Sequence, residues 1–272
     1  GAPNAGKSTL VNRIVGTKVS IVSPRPQTTR VNIKGIAMFD ETQLVFIDTP
    51  GIMKAKGSRQ RNMVDYAWEG ISEADQILFV IDAERGINGF SRAVLENLES
   101  KKLKGFAVIN KIDLVDHEPL LALAKTLYDT GLFHEVFMTS IPKDKGVEEV
   151  IKHLVKNAAE QPWFFPEDQI SDKNDRFLAE EVTREKIFWL MQQEIPYGVD
   201  VETDSYKEAG KSVTIHQTIF VPREAHKTII VGKGGASLKE IGIKSRTELE
   251  KLLGVKVNLF LHVKVRAPKD GD

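Results

Sequence analysis

Residues 1–9 constrain the fold of this chain more than any other stretch, because they read Gly-Ala-Pro-Asn-Ala-Gly-Lys-Ser-Thr. This run fits the pattern G-x-x-x-x-G-K-[S/T], which is typical of a loop that binds phosphate groups. Glycines let the backbone N–H groups of such a loop turn inward around phosphate oxygens, where a side chain would block close approach. We therefore expect a phosphate-binding loop that leads into a helix, whose positive end points at the anion.

The polar side chains of this loop have predictable roles. Lys7 is expected to neutralise phosphate oxygens, and the Ser8 hydroxyl is expected to be a ligand to Mg²⁺. The pattern also occurs by chance, and the alternative is a glycine-rich turn before an ordinary helix. The predicted nucleotide-binding residues of the loop are Gly1, Ala2, Pro3, Asn4, Ala5, Gly6, Lys7, Ser8 and Thr9.

A phosphate-binding loop is normally anchored in a sheet by the buried strand that precedes it. The first residue of the sequence, Gly1, already lies inside the motif. We therefore expect about ten further residues, a strand with its lead-in, before Gly1 in the protein.

Composition and charge bound the remaining possibilities. A chain of 272 residues, 41% hydrophobic and 28% charged, is typical of a globular protein with two domains. It has no cysteine, which excludes disulfides and thiolate metal sites, and no apolar run long enough to span a membrane. The net charge is zero, yet residues 160–210 carry −8 and residues 211–266 carry +7. The basic stretch favours a site for a polyanion, with a merely solvated face as the alternative.

A second motif follows the apolar run at residues 44–47, which is typical of a buried parallel strand. It reads Asp48-Thr49-Pro50-Gly51. The Asp48 carboxylate is placed to hold Mg²⁺ through water, and the Gly51 N–H is placed to reach the γ-phosphate. Residues 20–30 form a polar loop on which Thr29 can complete the magnesium shell and sense that phosphate. The predicted catalytic residues are Lys7, Thr29 and Gly51. The predicted metal ligands are Ser8, Thr29 and Asp48. The second motif adds four residues to the predicted nucleotide-binding set, namely Asp48, Thr49, Pro50 and Gly51.

A third motif, Asn110-Lys111-Ile112-Asp113, follows another apolar strand at residues 106–109. The Asp113 carboxylate can accept hydrogen bonds from N1–H and the exocyclic amine of guanine, an arrangement that adenine cannot match. Such a site rejects the wrong base strongly, because a mismatch leaves buried polar groups unpaired. Asn110 and the stem of Lys111 are expected to support the ring and the loop. The alternative is a strand followed by an Asx turn.

Strands alternate with helices up to a helix over residues 147–159, which predicts a doubly wound α/β domain with its ligands at the C-terminal strand ends. A helix over residues 176–194, two strands, a helix, Gly232-Lys233-Gly234-Gly235, a helix and a strand follow. This order matches a smaller α+β domain of the type II KH fold, whose glycine loop clamps about four single-stranded nucleotides. The predicted RNA-binding residues are Arg223, Lys227, Gly232, Lys233, Gly234, Gly235, Lys239, Lys244 and Arg246.

Together, Gly-x-Pro-Asn-x-Gly-Lys-Ser-Thr, Gln-Thr-Thr-Arg, Asp-Thr-Pro-Gly and Asn-Lys-x-Asp resemble the bacterial Era family of P-loop GTPases. The resemblance implies a GTPase domain over residues 1–160, a linker over 161–175, a KH domain over 176–266 and a tail over 267–272. It identifies Thr29 as the switch I magnesium ligand, and it adds Ser140 and Ile141 to the guanine loop. The family usually has alanine where Ile141 stands.

The resemblance also implies a function. Era proteins bind GTP or GDP with Mg²⁺, hydrolyse GTP, bind the 3′ end of 16S rRNA and act in assembly of the 30S ribosomal subunit. We expect a cytoplasmic monomer, with peripheral association to the inner face of the membrane left open. Asn4 stands where related GTPases bind K⁺, although it can equally be a turn residue. The alternative function is a signalling-type GTPase whose basic domain docks a protein or membrane surface, which would not need the paired glycines.

Overall fold

The computed structural model describes residues 1–26, 28–51, 58–191 and 198–266. Predictions that involve Gln27, Ile52, the helix-stopping Pro196 or the tail 267–272 lie outside these residues. The chain divides into two compact units. The first contains Gly1–Ser20 and Thr29–Asp172, and the second contains Ile21–Thr28 and the chain from Lys173 onward.

The first unit alternates helices with strands, as the sequence predicts. Its elements are α1 (Lys7–Val15), β1 (Ile33–Phe39), β2 (Thr42–Asp48), α2 (Ser58–Glu73), β3 (Leu78–Asp82), α3 (Gly89–Ser100), β4 (Gly105–Asn110), α4 (His117–Asp129), β5 (Phe133–Thr139) and α5 (Val147–Lys156). The helix predicted to reach residue 159 ends at Lys156, because Asn157 leaves helical geometry and closes the last turn with its backbone N–H.

Strands β3, β4 and β5 form a parallel sheet, in which β3 and β4 are buried on both faces. Phe79, Ile81 and Ile109 belong to one hydrophobic cluster, whereas Val80 and Val108 belong to another. Because neighbouring residues of a strand point to opposite faces, two clusters on one sheet require packing on both sides. This arrangement confirms the predicted doubly wound α/β domain.

Strands β1 and β2 form a separate antiparallel pair. Among the described residues, β2 does not pair with β3, and a cavity of about 890 Å³ is lined by residues of both strands. Gly1 lies at this cavity, where a Cβ atom on it would be 2.2 Å from the Val80 carbonyl oxygen. The phosphate-binding loop therefore starts beside the edge of β3.

The predicted linker continues along the first unit as far as Asp172. The Ile36 N–H donates to the Ile170 carbonyl over 3.0 Å, and the Trp163 indole donates to the Glu41 carbonyl over 2.9 Å. The Gln43 side chain bonds the backbone of Phe165 as both donor and acceptor. These bonds hold the linker along the antiparallel pair β1–β2.

The second unit has the element order that the sequence predicts for a type II KH domain. Its elements are α6 (Asp175–Leu190), β6 (Asp200–Ala209), β7 (Ser212–Val221), α7 (Glu224–Val231), α8 (Ala236–Leu253) and β8 (Lys256–Val265). Strand β7 is central, antiparallel to β6 and parallel to β8. The prediction that the first helix continues to residue 194 is wrong at Met191, where φ is −128° and ψ is 57°.

Candidate functional site

The phosphate-binding loop is tied to the guanine motif by the Asn110 side chain. Its Nδ2 donates to the Ala5 carbonyl over 3.0 Å, and its Oδ1 accepts from the Thr139 hydroxyl over 3.2 Å. Gly6 has φ of 99°, and a Cβ atom on it would lie 2.1 Å from Asn110 Nδ2. Only glycine fits at this position, since both the backbone conformation and the close approach exclude a side chain.

Lys7 is the first residue of α1, directly after the loop, and is partly buried. Its Nζ donates to the carbonyl oxygens of Gly1 and Ala2, at 3.2 and 3.0 Å. Burial lowers the pKa of Lys7, and the nearby Asp48 carboxylate partly opposes that effect. A phosphate group beside the ammonium would oppose it further, since an anion favours the charged form of lysine.

Three predicted metal ligands converge at the start of α1. Ser8 Oγ lies 2.6 Å from Asp48 Oδ2 and 3.1 Å from Thr29 Oγ1, and Thr29 Oγ1 lies 3.2 Å from the same carboxylate oxygen. The other oxygen, Asp48 Oδ1, is buried and has no hydrogen-bond partner among the described residues. Burial raises the pKa of Asp48, chiefly by desolvating its charge. Two hydroxyls and one carboxylate are hard oxygen ligands, so this cluster fits Mg²⁺.

Gly51 is placed against the phosphate-binding loop. A Cβ atom on Gly51 would lie 3.0 Å from the backbone nitrogen of Pro3. The structure therefore brings the end of the second motif next to the loop, as the predicted contact of the Gly51 N–H with the γ-phosphate requires.

The guanine motif lies at the C-terminal end of β4. Asp113 Oδ1 accepts a hydrogen bond from the Ser140 hydroxyl over 2.5 Å, and this bond is the main reason why the pKa of Asp113 is lowered. Asp113 therefore stays ionised at neutral pH and can accept from guanine. Ser140 is buried after β5, and Ile141 starts a short 3₁₀ turn beside it.

Lys111 connects three parts of the site. It adopts φ of 65°, and its Nζ donates to the Asn4 carbonyl over 3.0 Å and pairs with Asp82 Oδ2 over 2.6 Å. Asp82 and Thr139 were not predicted as site residues. Both are polar residues at the C-terminal ends of buried parallel strands, and this position could have identified them.

The predicted RNA-binding loop joins α7 to α8. Gly232, Gly234 and Gly235 all have positive φ, of 72°, 60° and 81°. A Cβ atom on Gly232 would lie 2.9 Å from the backbone nitrogen of Ser237. A Cβ atom on Gly234 or Gly235 would meet no described atom within 4 Å, so the backbone is open at these two residues. Close approach of a sugar-phosphate chain requires such an open backbone.

The predicted basic residues lie in this loop, on the helices α7 and α8 that flank it, or, for Arg223, directly before α7. Arg223, Lys233, Lys239, Lys244 and Arg246 are exposed. Lys244 pairs with Glu240 on its own helix over 2.9 Å, an exposed pair that stabilises the helix little and leaves the ammonium accessible.

Comparison with known proteins decides the family. The family model described as 50S ribosome-binding GTPase matches residues 1–111, and the KH domain model matches residues 194–270. The GTPase Era of Rhizobium meliloti is 48% identical over 267 residues, covering 98% of this chain and 85% of that protein. The chain belongs to the GTPase Era family. The GTPase Era of Caulobacter vibrioides is 44% identical, covering 98% of this chain and 89% of that protein.

Solved Era structures share the fold of this chain. Aquifex aeolicus Era bound to GDP and AlF₄⁻ matches with a TM-score of 0.92 and 38% identity, covering 98% of this chain and 91% of that chain. An Era in complex with MgGDPNP and nucleotides 1506–1542 of 16S ribosomal RNA matches with a TM-score of 0.93 at the same identity and coverage. Among the described residues of this family member, no helix has both the length and the apolar character needed to cross a membrane.

Proposed function

We propose that this Era family member binds GTP with Mg²⁺, hydrolyses it to GDP and phosphate, and binds the 3′ end of 16S rRNA. The observation that carries the proposal is the convergence of Ser8, Thr29 and Asp48 beside Lys7. The Era structure with MgGDPNP and 16S rRNA nucleotides supports the same ligands for this chain.

The residues of the site have different roles in GTP hydrolysis. Lys7 and the backbone N–H groups of the loop stabilise the negative charge that the phosphates carry. Ser8, Thr29 and Asp48 would hold Mg²⁺, which would supply positive charge beside the same oxygens. The Gly51 N–H contacts the γ-phosphate and is released after hydrolysis. The next residue, Ile52, has no donor or acceptor to orient the attacking water, so we expect slow intrinsic hydrolysis.

A potassium ion at Asn4 is a further element of the proposal. Asn4 has φ of 63°, and its carbonyl accepts from Lys111. Positive φ is tolerated by asparagine in turns, so this geometry fits a turn residue as well as a K⁺ ligand. A cation bound at this position would add positive charge beside the phosphates, which the side chain of Ile52 does not supply.

Guanine specificity is assigned to Asp113, oriented by Ser140 and supported by Asn110 and Lys111. The neighbouring Ile141 can contribute its backbone N–H to the base. RNA binding is assigned to Gly232–Gly235 and the surrounding basic residues. Through these two sites we propose a role in assembly of the 30S subunit, in the cytoplasm, for a monomer. Peripheral membrane association belongs to the alternative in which the basic domain docks another surface.

The test is binding of GTP, ATP and short RNAs in one titration series. We expect GTP and GDP to bind, ATP not to bind, and an oligonucleotide from the 3′ end of 16S rRNA to bind better than one of scrambled sequence. Equal affinity for GTP and ATP would refute the nucleotide assignment. Binding to anionic vesicles without binding to RNA would instead favour the docking function.

A further inference from the structure

Residues 21–28 belong to the second unit, to which RNA binding is assigned above and which is called the RNA-binding unit below. In the sequence, however, they lie between α1 and β1, which belong to the first unit. Helix α6 holds the start of this segment. The Val22 N–H donates to Glu185 Oε1 over 2.7 Å, and the Val22 carbonyl accepts from the Trp189 indole over 2.9 Å. Glu185 is buried, with 2% of its surface exposed. Both polar groups of the Val22 backbone are therefore satisfied by one helix.

The same helix holds the end of the segment. Arg184 Nη2 donates to the Thr28 carbonyl over 2.8 Å. The Arg184 side chain is buried, forms an ion pair with Glu181 and has its guanidinium 5.3 Å from the centre of the Phe188 ring. A planar guanidinium fixed on two sides is a rigid donor, because few of its rotamers remain accessible.

The segment is also closed on itself. The Thr28 hydroxyl donates to the Arg25 carbonyl over 2.8 Å and lies 2.7 Å from the Ser23 hydroxyl. Arg25 in turn donates to the Met191 carbonyl at the end of α6, over 2.7 Å. Thr28 is thus fixed by its side chain within the segment and by its carbonyl on the helix.

The Thr28 carbonyl and the Thr29 N–H are parts of one planar peptide group. Fixing the carbonyl therefore fixes the direction in which the Thr29 backbone starts. Thr29 is the residue whose hydroxyl lies with Ser8 and Asp48 in the magnesium cluster. We propose that Arg184 is a positioning residue for Thr29, so that the RNA-binding unit sets the geometry of a magnesium ligand of the GTPase site.

This inference rests on the proposed function, in which Thr29 holds Mg²⁺ and senses the γ-phosphate. Within the second unit, ion pairs also connect α6 to the helix that follows the RNA loop. Glu185 pairs with Lys186 over 2.8 Å, and Lys186 pairs with Glu248 on α8, the helix that starts at the glycine loop. A shift of α8 would therefore move the side chains of α6 that hold residues 21–28.

The test compares Arg184→Gln with Arg176→Gln in the full chain. Arg176 is a matched control, because it lies on α6 and donates to the Thr203 carbonyl in the sheet. Affinities for GDP and a non-hydrolysable GTP analogue are measured with Mg²⁺, together with kcat for GTP. We expect Arg184→Gln to lower the ratio of analogue affinity to GDP affinity by about fivefold or more, the lower limit of usual couplings between sites. Arg176→Gln should leave this ratio unchanged.

A loss of folding alone would not reproduce this result, since it would lower both affinities together. If Arg184→Gln and Arg176→Gln change the ratio equally, the positioning role is refuted. If the unmodified chain binds neither nucleotide, the proposed function fails and the role of Arg184 fails with it. GDP binding by the unmodified chain distinguishes failure of the positioning role from failure of the proposed function.

A second variant covers the case in which Arg184→Gln does not fold. Trp189 is 49% exposed, so Trp189→Phe removes the indole donor to Val22 with little effect on packing. We expect the same affinity ratio to fall by about twofold to tenfold, which corresponds to one net hydrogen bond. An unchanged ratio in this variant, with an unchanged melting temperature, would also overturn the proposal.

Discussion

Replacing Asn110 by alanine tests whether the guanine motif and the phosphate-binding loop are one unit. The Asn110 side chain is 2% exposed and bonds the Ala5 carbonyl at 3.0 Å and the Thr139 hydroxyl at 3.2 Å. Asn110→Ala leaves both of these buried groups without this partner. Each unsatisfied group costs about 1–3 kcal/mol, so we expect the free energy of unfolding to fall by about 2–6 kcal/mol.

The loss should also appear in nucleotide binding, because the Ala5 carbonyl is no longer fixed beside the phosphates. Urea unfolding followed by circular dichroism gives the free energy, and displacement of a fluorescent GDP gives the affinity. Asn97→Ala is the matched control, because the Asn97 amide donates to the Ala93 carbonyl over 2.7 Å on α3. An equal loss of stability in both variants, or unchanged GDP affinity in Asn110→Ala, would refute the reasoning.

Four further predictions concern the ligands. Asp113→Asn should move nucleotide preference from guanine to xanthine, because an amide can donate to the additional carbonyl of xanthine; competition by XTP and GTP measures this. GTP hydrolysis should be faster in K⁺ than in Na⁺, and Asn4→Ala should remove the difference, whereas equal rates would leave Asn4 as a turn residue. Replacing Lys233 and Gly234 with Asp should abolish RNA binding in a filter assay and preserve GDP affinity. RNA affinity should differ by about 5–150-fold between a GTP analogue and GDP at one salt concentration, and agreement within error would mean that the domains are merely tethered.

The sequence predicted the parts of the site that a local pattern determines. Asp48, Asn110 and Asp113 each stand at or just after the C-terminal end of an apolar run, and parallel strands bring such ends to one edge of a sheet. The spacing of glycines predicted the loop at Gly232–Gly235, because consecutive positive φ angles are accessible to few other residues. These predictions need no knowledge of distant contacts.

The position of residues 21–28 could not be predicted from the sequence in this way. The segment is polar and contains two prolines, which indicates a loop but not its partner. Its partners Arg184, Glu185 and Trp189 are more than 150 residues away, and they lie on a helix whose apolar residues only predict a core. Buried charged groups such as Arg184 and Glu185 would have been a signal, but burial is visible only in the structure.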